Sequence, residues 1–189
     1  TDHVVSFTLT SDDQDSTINF DTGTASGAAV IDLITVVSGA GSTANVEETT
    51  ITNADTDVTI TTIDASAAAG DLTIVLTTSN DVVSITTGSG DATITSTTGA
   101  DTIVLGTGDN TVRTQDGQDT ITLSTGIDTI IADTFDDAVI VNGFDVAEDI
   151  IGIDLSMVNA SVTNSLITGA GTTDVATFFN VVIQSDADG

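Results

Sequence analysis

Between Thr97 and Ile130 an Asp or Asn recurs at a fixed place: Asp101, Asn110, Asp119 and Asp128. Each stands two residues after a glycine (Gly99, Gly108, Gly117, Gly126) and two before an Ile or Val. Carboxylates, a carboxamide and the carbonyls of glycine-bearing turns are oxygen donors, and oxygen sets bind hard cations. Six to eight oxygens on pliant turns suit Ca²⁺ better than Mg²⁺, and the lack of Cys and of usable His argues against zinc. The candidate cation-binding residues therefore include these eight together with Asp81, Asp91, Asp109 and Asp116. Downstream acids extend the set to Asp136, Asp137, Asp145 and Asp149.

The elements that position these acids follow from the apolar residues. Ile85, Ile94, Ile103, Val112, Ile121, Ile130 and Val139 are separated by nine residues each time. A nine-residue unit is too short to close a turn around a core, whereas two units make an eighteen-residue turn with a short strand on each of two facing sheets. Positions two units apart agree with this. Leu105, Leu123 and Val141 form one inward set and Ser96, Thr114 and Ala132 the other, large against small as in interdigitating sheets. Outward residues such as Thr93, Thr95, Thr102, Thr111 and Thr120 alternate with the inward ones, the period-two signal of a strand.

Successive turns of such a solenoid lie about 4.8 Å apart. Asp101, Asp119 and Asp137 then form one file along one edge, and Asn110 and Asp128 another. Two unit charges about 5 Å apart at an effective dielectric near 20 repel by roughly 3 kcal/mol. A cation between turns converts that penalty into a cross-link. The simpler alternative is that Asp and Gly merely make turns, although turns alone do not require a nine-residue phase.

The expected architecture is all-β: a right-handed parallel β-solenoid, or β-roll, built of eighteen-residue turns. Residues 1–75 read as an irregular β-segment, 76–141 as the nonapeptide β-roll and 142–189 as a C-terminal cap, where Phe144, Phe178 and Phe179 would cover the solenoid end. Within the first segment "AAVIDLITVV" suits a buried strand or a short helix. The turn glycines are expected to supply positive φ.

Composition narrows function. The chain has 189 residues, 29 acids, Arg113 as its one strong base, and a formal charge of −28. Such a chain repels nucleic acid and anionic membranes and, unscreened, itself. It lacks Pro, Cys, Trp, Tyr and Lys, while Val, Ile, Leu, Ala and Thr give it strand composition. No apolar run approaches the length of a spanning helix and no basic-plus-apolar leader opens the chain, so membrane insertion is not expected. It opens on Thr1, which reads as a trimmed chain or a piece of a larger one. A catalytic role is not expected: His3 stands alone near a terminus, without an H-E-x-x-H motif or a base beside a nucleophile. A carboxylate pair could serve glycoside hydrolysis, but acids in file on turn edges suit ion binding better. Arg113 reads as a structural ion-pair former, and Asp13, Asp15, Glu47 and Glu48 as solvated loop acids.

"GTGDNTVR", Gly106 to Arg113, resembles the RTX, or hemolysin-type, calcium-binding repeat G-x-G-x-D-x-U-x, with Asn110 at the Asp position. "TGADTIVL", "DGQDTITL" and "TGIDTIIA" resemble its second half, and "VNGFDVAEDIIGIDLS" is similar to segments that close RTX blocks. Upstream, "TTIDASAAAGDLTIVL" resembles RTX-like bacterial surface-layer proteins. The resemblance implies Ca²⁺ as the cofactor, type I export and an extracellular, cell-surface location. It also implies a structural subunit of a surface layer or filament that folds and self-assembles on calcium. Partners would be calcium and further copies of the chain, with a cell-surface polysaccharide left open. The alternative is an RTX folding and secretion module of a larger exoenzyme, toxin or adhesin. A lesser alternative is ice binding through Thr-x-Thr ranks (Thr93 with Thr95, Thr120 with Thr122), which Val104, Arg113 and Ile131 interrupt. Single glycines in place of Gly-Gly, Ala92 in the acid file, and Asp109 and Asp116 depart from the repeat, so fewer ions than one per turn are expected.

Overall fold

The computed structural model describes residues 2–4, 6–11, 15–20, 29–38, 48–76, 80–132, 138–153 and 181–184. Asp136 and Asp137 lie outside these, as does most of the segment expected to cap the solenoid. All regular structure among the described residues is strand, and every strand pair is parallel.

From residue 84 onward the chain winds as a two-sheet coil. Strands β10 (Ser84–Thr86), β12 (Thr102–Val104), β14 (Thr120–Thr122) and β16 (Val139–Asn142) stack on one side. Strands β11 (Ala92–Thr95), β13 (Thr111–Thr114), β15 (Thr129–Ala132) and β17 (Ile150–Ile153) stack on the other. Ile85 pairs with Ile103 and Ile103 with Ile121, while Ile94 pairs with Val112 and Val112 with Ile130. Each of these steps is two nonapeptide units, and all six side chains are buried. Strands of three or four residues cannot stand alone; here each gains its ladder bonds and its apolar cover from the coils above and below.

Upstream the coils have three sides. Strands β1 (Asp2–Val4), β4 (Ala29–Ile31) and β7 (Val58–Ile60) form a third sheet. Strands β2 (Phe7–Ser11), β5 (Ile34–Ser38) and β8 (Thr62–Ala67) lead into β10. Strands β3 (Ser16–Phe20), β6 (Glu48–Asn53) and β9 (Asp71–Val75) lead into β11. "AAVIDLITVV" is thus two strands, β4 and β5, on adjacent sheets rather than a helix. Coil length contracts as the third side is lost: Ile34 pairs with Ile63, Ile63 with Ile85, and Ile85 with Ile103. The last strand, β18 (Val181–Gln184), pairs with β16.

The regular phase breaks after β15. Ala132 pairs with Thr114, two nonapeptide units back, but Ile140 pairs with Thr120, two units and two further residues back, so the intervening turn is longer by that much. Val141 therefore stacks on Ile121, and not in the set of Leu105 and Leu123 where the repeat places it. The backbone bond from Ile140 N to Asp119 O, equivalent to Thr120 N to Asp101 O, puts Val139 at the place above Asp119. Val139 thus holds the backbone register position after Asp101 and Asp119, while Asp137, the third member of the expected file, lies outside the described residues. Two residues more than the repeat supplies separate Ala132 from Val139 in that register, which periodicity in the preceding coils cannot announce.

Candidate metal centre

Two turn edges carry the acids. The first edge comprises the turns at 87–91, 105–110, 123–128 and 143–149; the second comprises those at 96–101 and 115–119. At both, the residue just before the strand points inward. Asp101 and Asn110 are 1 % exposed, and Asp119 and Asp128 fully buried. A buried aspartate needs partners or a counter-charge, and here backbone amides of the neighbouring coil supply the partners. Val83 N donates to Asp101 Oδ1 at 2.9 Å and Asp101 N to Asp119 Oδ1 at 2.8 Å. On the first edge Ala92 N donates to Asn110 Oδ1 (3.0 Å), Asn110 N to Asp128 Oδ1 (3.1 Å) and Asp128 N to Asp149 Oδ1 (2.9 Å). Asp149 thus continues the file of Asn110 and Asp128, at a spacing of 21 that the repeat does not announce.

A second, solvent-exposed ladder runs beside it in the opposite sense. Asp91 N donates to Asp71 Oδ1 (3.0 Å), Asp109 N to Asp91 Oδ1 (2.8 Å) and Ile127 N to Asp109 Oδ1 (2.8 Å). Asp109, a departure from the repeat pattern, is therefore a coil-to-coil link. Sequence reasoning missed Asp71, although the recurring dipeptides Gly70-Asp71, Gly90-Asp91 and Gly108-Asp109 carried the signal.

The glycines stack as closely as the acids. A Cβ on Gly108 would fall onto the Gly90 carbonyl, and one on Gly99 onto that of Asp81. Positive φ is needed at Gly117 (100°) and Gly126 (126°) but not at Gly99 or Gly108, where the close approach of the neighbouring coil is what excludes a side chain.

The buried acids differ in how completely they are satisfied. Thr97 clamps Asp101: its N–H donates to Oδ2 at 2.9 Å and its hydroxyl lies 2.9 Å from both carboxylate oxygens. Burial nevertheless pushes the Asp101 carboxyl above its ordinary value, with the Val83 and Thr97 hydrogen bonds opposing. Asp128 is also pushed up, first by burial and then by the charge of Asp149, while its bonds from Asn110 oppose. The Ser124 backbone N–H also approaches this carboxylate and opposes the rise, yet no donor reaches the buried Oδ2 with full hydrogen-bond geometry among the described residues. That orphaned acceptor, with the Asp149 carboxylate one coil on and Gly126 in the same turn, fits a hard cation. No three His, Cys, Asp or Glu side chains come together among the described residues, so a cation here would draw part of its shell from backbone carbonyls.

Of the other candidates, Asp81 offers its carbonyl to the Thr97 hydroxyl. Asp116 is exposed on the second edge. Asp145 caps the last turn of the first edge, its Oδ1 accepting from Ala147 N and its own N–H donating to Asp149 Oδ2, each at 2.8 Å.

A family model for the RTX calcium-binding nonapeptide repeat matches in four copies, over residues 86–121 and 95–130. The coils over residues 86–130 are RTX repeats. The match spans Asp91, Asp101, Asp109, Asn110, Asp116, Asp119 and Asp128 of the two edges and leaves out Asp145 and Asp149. No curated protein and no solved structure matches the chain. RTX nonapeptide repeats bind Ca²⁺, and the repeat is a structural, not a catalytic, unit. Calcium held at such carboxylates would supply positive charge where burial disfavours the ionised form, and would tie coil to coil.

Proposed function

We propose that the chain is a secreted calcium-binding structural protein that folds and assembles on Ca²⁺ as a subunit of a bacterial surface layer or surface filament. The observation that carries this is Asp128: a buried carboxylate oxygen without a donor, facing a like charge, in a chain of formal charge −28. Such a chain keeps only a weakly stable fold where free calcium is scarce and closes its remaining coils where calcium is plentiful, because metal binding and folding share one free energy. Neutralising the edges also removes the self-repulsion that keeps copies apart. The candidate ligands are the acids and turn glycines of the two edges, with Asp145 and Asp149 at the end of the first.

A second reading, an RTX module that folds and exports a larger exoenzyme, toxin or adhesin, draws support from the confinement of the family match to residues 86–130. Titrating Ca²⁺ into chelator-treated protein while following circular dichroism and light scattering separates the readings. A surface subunit gains β-signal and then particle size, whereas a module gains β-signal alone. Absence of any gain below about 10 mM, beyond the weak end of extracellular sites, overturns calcium-driven folding.

A further inference from the structure

The turn from Gly106 to Asn110 departs from its neighbours at one side chain. Asn110 Nδ2 donates to Gly108 O at 2.7 Å, to Gly106 O at 3.2 Å and to Asp128 Oδ1, on the next coil, at 2.9 Å. Its Oδ1 accepts from Ala92 N on the preceding coil. The orientation is determined, since a flipped amide would set its oxygen against three acceptors and its NH₂ against a donor. One electropositive group thus gathers two turn carbonyls of its own coil and a carboxylate of the next. That is the task a cation performs between stacked acids. One coil on, Asp128 holds the same place and has no proton to donate in its charged form; its Oδ2 is left without a donor.

We propose that the Asn110 carboxamide takes the place of a calcium ion at the junction between the 105–110 and 123–128 turns. This inference rests on the calcium reading of the repeats and adds which junction departs from it. The junction is closed without metal, and Asn110 is the residue that decides this. The edge then has a permanently braced section, from Ala92 through Asn110 to Asp128, followed by a calcium-responsive one between Asp128 and Asp149. A metal-free brace within the repeat block offers a preformed section from which the calcium-dependent coils can grow.

The test compares the full chain with N110D and N110A, measuring bound calcium by equilibrium dialysis and melting temperature in excess chelator. N110D replaces the donor with a second carboxylate facing Asp128. It should bind one more Ca²⁺ per chain than wild type and melt at least about 2–4 °C lower in chelator, a loss that calcium restores. N110A, which removes the donor without adding charge, should show the chelator loss with unchanged stoichiometry, and it keeps the brace testable should N110D fail to fold. The proposal is overturned if N110D binds no more calcium than wild type, if N110A binds one ion fewer, or if neither variant melts lower in chelator. Wild-type protein that binds no calcium at all would instead defeat the calcium reading, while the chelator melts still judge the Asn110 brace.

Discussion

Asp101 and Asp128 show how the same residue type, at the same place in two nonapeptide units on opposite edges, is solved twice. Thr97 and Val83 supply Asp101 with donors to both oxygens; Asp128 has donors to one. Thr97→Val removes a hydroxyl that touches both Asp101 oxygens and the Asp81 carbonyl. Both oxygens keep their backbone donors, from Val83 N and Thr97 N, so losing that single hydroxyl proton among three acceptors should cost about 1 kcal/mol, which chemical denaturation in chelator would read. Asp128→Asn should act in the opposite sense, raising stability in chelator and removing one bound calcium, as direct ion counting would show. The pH response follows from the same burial. A carboxyl raised in the folded state binds its proton more tightly there than when unfolded, so stability falls as pH rises from the ordinary 3.8 through the folded value. In chelator the melting temperature should therefore rise as pH is lowered from neutrality toward that range. Asp64, half-buried and held low by Ser66, opposes this weakly. With saturating calcium the trend should invert, because the ion needs the deprotonated form.

At the scale of elements, stability comes from register. Strands of three or four residues hold only because Ile103 lies between Ile85 and Ile121, and Val112 between Ile94 and Ile130. Ile103→Ala should cost about 2–5 kcal/mol in urea unfolding, since stacked coils leave little room to collapse into the cavity. Gly108→Ala is expected to be at least as disruptive despite adding one methyl, because the new Cβ meets the Gly90 backbone rather than a flexible side chain. On the outer face Thr17, Thr50, Thr73, Thr93, Thr111 and Thr129 pair in unbroken succession. The next outward rank holds Val75, Thr95, Arg113 and Ile131, so the paired hydroxyl array that ice binding would use is not continuous.

The whole molecule combines three-sided coils that the acid files barely enter with two-sided coils bordered by them. A charge of −28 spread over such a chain responds to any salt, but site binding and screening differ in concentration. Millimolar Ca²⁺ should raise the melting temperature more than about 150 mM NaCl does, since monovalent ions shorten the range of repulsion without bridging Asp128 and Asp149. Equal effects of the two salts would reduce calcium to a screening ion.

Periodicity made the two-sheet coil legible. Apolar residues at nine-residue spacing from Ile85 to Val139, with the large and small inward sets, require two units to each turn, and stacking places Asp101 with Asp119 and Asn110 with Asp128. Side-chain alternation and turn chemistry are local, so a sequence carries them openly. What lay beyond it depended on where chains meet. The third side of the upstream coils, the slip that sets Val139 over Asp119, and the entry of Asp149 into the file are matters of register between segments more than one regular coil apart in sequence. The carboxamide of Asn110 is the sharpest case. In the sequence it is a weakened copy of an aspartate, and only the tertiary structure, by laying Asp128 and two turn carbonyls against its NH₂, made it a donor where its neighbours can only accept.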